Sequence, residues 1–146
     1  MDTRSRRLAE VVRRWTTSAQ DDRKAMHALR SEGVPRVLGF HAQQAVEKLL
    51  KAVLISYDVH PEDTHAVGAL ISQLHRLDRR LAEGLGPVDR LTPYAVRRRY
   101  PPSGWRQESH LSEADASADA ALAVSACEKL DAALAARLRA LESGGS

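Results

Sequence analysis

The sequence predicts an all-α protein, an antiparallel four-helix bundle with a long connection before the last helix. Three observations predict it. Apolar residues recur at alternating three- and four-residue intervals, the period of a bundle helix. Alanine and leucine dominate the composition, and β-branched runs of period two are absent. Gly33 with Pro35, and Gly84 with Gly86-Pro87, break the chain between periodic stretches. With 146 residues the chain fits one domain, assigned to 1–142, with 143–146 as a flexible tail. Such a length supports one hydrophobic core without disulfide or metal help.

The first helix is expected from about Thr3 to Arg30, on the stripe Leu8, Val12, Trp15, Ala19, Met26 and Leu29. Between Ala19 and Met26 the position that completes the stripe is Asp22. A carboxylate on a core-facing seam is costly unless it is paired or solvated. Asp22 is therefore the first candidate for a functional site; a solvated position beside a groove explains it as well.

Gly33 and Pro35 break the chain, and Pro35 suits a first helical turn because its missing N–H is not needed there. A second helix follows to about Tyr57. Leu38, Ala42, Ala45, Leu49, Ala52 and Val53 line one face, and His41, Gln44, Lys48 and Lys51 line another. Glu47 and Lys51 stand four apart in the favourable order.

Asp63 or Thr64 is expected to cap a third helix carrying Val67, Leu70, Ile71, Leu74, Leu77 and Leu81, ended by Gly84 and Gly86-Pro87. From Val88 to Ser109 the chain is irregular, with a short helical turn expected after Pro93. A connection of that length in a small bundle often carries function. Ser112 with Asp115 then resembles a capping box and opens the last helix, with Leu122, Leu130, Leu134 and Leu138 inward. The apolar faces exceed what a thin bundle buries, so a homodimer is expected.

The charge balance excludes some chemistry. The formal charge is +3, and arginine supplies most of the positive charge, since lysine occurs only at 24, 48, 51 and 129. Arginine is the better phosphate fork. Cys127 is the single cysteine, which rules out an internal disulfide and a cysteine zinc site. No apolar run approaches the ~20 residues that span a bilayer. The chain is expected to be cytoplasmic, with no membrane, metal or cofactor. Gly84-Leu85-Gly86 lacks the lysine and the strand–helix setting of a phosphate loop.

Phe40-His41-Ala42-Gln43-Gln44-Ala45-Val46-Glu47-Lys48-Leu49-Leu50-Lys51-Ala52 resembles the second-helix signature of HEPN domains. Three more features agree in order. Trp15, Ala19 and Asp22 resemble the family's first helix. Thr64-His65 sits where a histidine opens the third. Leu91-Thr92-Pro93-Tyr94 with Arg99-Tyr100-Pro101 resembles the connection before the last helix.

The resemblance implies a nucleotide- or RNA-binding module. Its Arg-Tyr-Pro form is similar to the branch that pairs with a separately encoded minimal nucleotidyltransferase as a toxin–antitoxin couple. By the same resemblance such a partner would modify Tyr94 or Tyr100. Another branch resembles metal-independent ribonucleases, in which an arginine and a histidine four to six residues apart act on the RNA 2′-hydroxyl and phosphate. Here Arg106 and His110 have three residues between them, and Arg99 and His110 have ten. A ribonuclease toxin is thus the alternative, with Arg99 and His110 as catalytic candidates. A scaffold that binds only protein is the third reading. The binding residues expected are Asp22, His41, Lys48, Arg97, Arg98, Arg99 and Tyr100. The arginine run equally suits a solvated loop, and Tyr94, Tyr100 and Trp105 equally suit packing. His65 suits a helix cap.

Overall fold

The computed structural model describes residues 1–101 and 111–144. Five α-helices carry the architecture: α1 (Thr3–Leu29), α2 (Pro35–Ser56), α3 (Val67–His75), α4 (Arg79–Gly84) and α5 (Glu113–Glu142). A 3-10 segment, Val88–Ala95, and a 3-10 turn, Arg97–Arg99, lie between α4 and α5. No strand occurs among the described residues. The all-α bundle is therefore as the periodicity predicts.

Helix α1 starts where Asp2 accepts from the Ser5 amide at 2.8 Å, so one of the free first-turn donors is satisfied. It ends before Gly33, whose φ of 68° reverses the chain without a side-chain penalty. Val12, Ala19 and Met26 are buried as the stripe requires, with Trp15 and Leu29 packed at its edge.

α2 is the central helix. It packs against α1, α3, α5 and the 3-10 segment. Leu38, Ala42, Ala45, Leu49, Ala52 and Val53 are all buried. α1 runs antiparallel to both long neighbours. Arg4 reaches Asp58 at one end of α2 while Asp22 meets His41 nearer the other. Arg13 pairs with Glu142 and Arg23 with Asp131 on α5. At the C-terminal end of α2, Arg137 donates to the Ser56 carbonyl at 2.9 Å and lies over the Tyr57 ring at 3.8 Å. A helix-terminal carbonyl thereby gains a charged donor.

The third helix differs from expectation: it is two helices. Asp78 turns its carboxylate onto the Leu81 amide at 3.0 Å, capping α4 and stopping α3 at His75. An aspartate that captures a downstream amide offers the backbone an alternative to continuing the helix. Leu77, placed inward by the pattern, is consequently exposed. The cap of α3 also differs. Thr64 accepts from Ala66, one residue too early. The first α3 amides, Val67 and Gly68, instead donate to Thr92 Oγ1 at 3.1 Å and Asp89 Oδ1 at 2.9 Å.

The connection before α5 is more ordered than predicted. The 3-10 segment begins at Val88, ahead of Pro93, and buries Val88, Leu91 and Tyr94. Tyr94 lies across Gly39 of α2 so closely that a side chain on Gly39 would collide with its ring. Its hydroxyl donates to Asp119 of α5 at 2.6 Å. Burial, then the Asp119 carboxylate, pushes the phenol above its ordinary value. Arg90 stands 3.1 Å from the other Asp119 oxygen without an aligned hydrogen bond, so that buried oxygen has only a charge contact. α5 begins as the capping motif predicts, with Ser112 accepting from Asp115 at 3.0 Å. Leu130 and Leu134 are buried, and Leu122 and Leu138 pack at the edge. Residues 145–146 of the expected tail lie outside the described residues.

Candidate functional site

The polar face of α2 is the floor of the site. His41 and Lys48 lie seven residues apart, two turns along one face. Asp22 of α1 comes down between them. Its Oδ1 is 2.9 Å from His41 Nδ1, and its Oδ2 accepts from Lys48 Nζ at 2.6 Å. Asp22 is 7% exposed. The carboxylate on the seam is therefore paired twice, which meets the cost of burying it. With Nδ1 engaged, His41 keeps Nε2 for another partner. Lys48 keeps two N–H donors.

Phe40 extends this cluster toward the bundle end. Its ring meets the His41 imidazole edge-on at a centroid distance of 5.4 Å. Arg99 lies over the same ring at 4.8 Å and within 6.0 Å of the Tyr100 ring. Both distances fall in cation–π range. The sequence-derived residues Asp22, His41, Lys48, Arg99 and Tyr100 thus form one chain of contacts running through Phe40.

The arginine run does not act as one patch. Arg97 is exposed. Arg98 is drawn over the Tyr94 ring at 5.4 Å, and its carbonyl accepts from Arg36 at 3.3 Å. Only Arg99 turns toward the α2 cluster. Of the two tyrosines, Tyr94 is a core residue and Tyr100 is 60% exposed. His110, the catalytic imidazole candidate, lies outside the described residues, as do Trp105 and Arg106.

A second acid-centred cluster follows on α2. Glu47 is 3% exposed. Its Oε1 lies 2.8 Å from His65 Nδ1 and 3.5 Å from Lys51 Nζ, and its Oε2 accepts from Gln44 at 3.2 Å. Gln43, fully buried, donates to the His65 carbonyl at 3.0 Å. His65 thus answers Glu47 instead of capping α3. The sequence carried a signal for this cluster: Gln43 and Glu47 interrupt the apolar face of α2 as Asp22 interrupts that of α1. No group of three potential metal ligands occurs among the described residues.

The arrangement can hold an anion against Arg99, present an aromatic face beside it, and offer a free imidazole nitrogen. No described helix is long and apolar enough to cross a membrane. No curated protein and no solved structure matches the chain. A family model does match: the HEPN domain, over residues 12–133, a span that takes in most of α1, all of α2, the Arg99 turn and most of α5. The all-helical bundle agrees with that match, and the chain belongs to the HEPN domain family.

Proposed function

We propose that this HEPN domain binds RNA or nucleotide along the Asp22–His41–Lys48 cluster and Arg99, acting beside a separately encoded nucleotidyltransferase as one half of a toxin–antitoxin pair. The observation that carries the binding site is Arg99 stacked on Phe40, whose ring in turn abuts His41. A guanidinium held over a ring is preset for a phosphate, so less freedom is lost on binding. Tyr100 supplies an exposed ring on which a base stacks, a contact worth about 1–3 kcal/mol in single-strand binders. Asp22 already neutralises part of the positive charge of Lys48. The cluster therefore orients His41 Nε2 and Lys48 for hydrogen bonding, and Arg99 supplies the attraction.

The partner rests on the family resemblance of Arg99-Tyr100-Pro101, and the homodimer on the apolar faces and the family habit; neither rests on the geometry of the site. The test is calorimetric titration of the chain with ATP, GTP and a short single-stranded RNA at low salt. Binding is expected for at least one ligand, weakened about tenfold in Arg99→Ala, equal to about 1.4 kcal/mol. An absence of heat with all three ligands overturns the reading, as does equal binding by Arg99→Ala.

A further inference from the structure

At the far end of α2 from Arg99 lies a groove of about 610 Å³ between α1 and the loop that follows α2. Phe40 and Ile55 are about 22 Å apart along that helix, at 1.5 Å per residue. Leu8, Val11 and Trp15 of α1 and Ile55 of α2 form its apolar floor, all half-buried. Asp58, Glu62 and Asp63 line its rim and are exposed. We propose that this groove docks a basic amphipathic segment of a partner polypeptide, its leucine-like side chains on the floor and its arginines or lysines on the rim.

Charge complementarity carries the choice of occupant. The chain as a whole is at +3, yet this rim gathers three carboxylates. Among the described residues no cation lies within ion-pair distance of Glu62 or Asp63, whereas Arg4 answers Asp58. The last carbonyls of α2 are already answered, those of Leu54 and Ile55 by backbone amides and that of Ser56 by Arg137, so the field of the rim is that of its carboxylates. Nucleic acid is repelled from such a rim, and a cationic segment is drawn to it.

Lys51 does not cancel this field. It lines the groove too, but its ammonium sits 3.5 Å from Glu47 and 5.7 Å above the Trp15 ring, where Glu47 already answers its charge. The Arg4–Asp58 pair is a weak barrier. The Arg4 side chain is 76% exposed, and exposed pairs contribute about 0–1 kcal/mol. An incoming arginine can share Asp58 or displace Arg4.

The experiment titrates the full-length chain into a fluorescently labelled helical peptide of about 16 residues, long enough to form a helix, with a leucine stripe flanked by arginines. A second peptide carries glutamate in place of arginine. The arginine peptide is expected to bind, and the E62K/D63K double variant to bind it at least about tenfold more weakly at 0.1 M salt. The glutamate peptide is expected not to bind the wild type. Both substituted residues are exposed, so the variant keeps its helical circular dichroism and its nucleotide titration. Equal binding of the two peptides, binding untouched by E62K/D63K, or no binding overturns the proposal. Sedimentation of wild type and variant gives a further check. A dimer that dissociates in E62K/D63K means that a second copy of this chain fills the groove, which also overturns it.

Discussion

Lys48 reaches across from α2 to Asp22 of α1 with its ammonium 2.6 Å from a carboxylate that is nearly closed to solvent. Removing one member of such a pair is expected to cost more than removing both, because the survivor keeps its desolvation penalty without its partner. Asp22→Ala is expected to destabilise the fold by about 2–4 kcal/mol in urea unfolding. Asp22→Ala with Lys48→Met is expected to cost less than the sum of the two single changes. Strict additivity in that double-mutant cycle would show that the two groups are not coupled.

Gly39 and Tyr94 give a second test. Exchanging glycine for alanine inside a helix normally adds about 0.5–1 kcal/mol of stability. Here the added methyl meets the Tyr94 ring. Gly39→Ala is therefore expected to destabilise by about 1–3 kcal/mol, the cost of overpacking. Combining it with Tyr94→Leu, which vacates the ring's space, is expected to recover part of the loss. Thermal melts of the three variants decide the matter; a more stable Gly39→Ala single variant contradicts the contact.

Tyr94→Phe keeps the ring and removes only the hydroxyl that donates to Asp119. One buried carboxylate oxygen then loses its donor, and the other has no aligned donor already. The expected cost is about 1–3 kcal/mol. A neutral result would mean that Arg90 shifts to take up the vacated oxygen, which the structure of the variant would reveal.

Cys127 supplies a pH prediction. Burial pushes its thiol from 9.0 up to about 12. Above pH 9 the unfolded chain releases this proton while the folded chain keeps it. The unfolded state is favoured by about 1.4 kcal/mol per pH unit for that one proton. The stability is fully present below pH 9 and falls as pH rises toward 12. Tyr94 adds a loss of the same sign above pH 10. Cys127→Ala is expected to show a flatter decline between pH 9 and 11 in urea midpoints. Parallel curves for variant and wild type would contradict it.

Asp58 is the one described residue other than glycine with positive φ, at 60°. It also places a carboxylate at the negative end of α2. Both features cost stability. Asp58→Gly is expected to gain about 0.5–1 kcal/mol after loss of the exposed Arg4 pair. Denaturant midpoints measure it; a loss of stability would mean that the Arg4 contact outweighs the backbone strain.

The part of the site legible in the sequence was the part written in periodicity. Asp22 stood out because it occupied an apolar position, and its burial between His41 and Lys48 follows from that. Gln43 and Glu47 carried the same signal on α2, masked by being read as motif letters and as an i,i+4 pair. Contacts that depend on how elements meet left no local trace. Nothing near Phe40 announces Arg99, and nothing near Leu77 reveals that Asp78 prefers the Leu81 amide to continued helix. The caps of α3 come from 25 and 21 residues downstream, beyond the reach of any local rule.

Those distant caps have a consequence for the order in which the chain becomes structured. At nine residues, α3 is too short to persist alone in water. Its leading amides find acceptors only when Thr92 and Asp89 arrive. Helix and 3-10 segment must then open and close as one cooperative unit, and the Val67 and Gly68 amides should exchange with deuterium in step with the amides of residues 88–95.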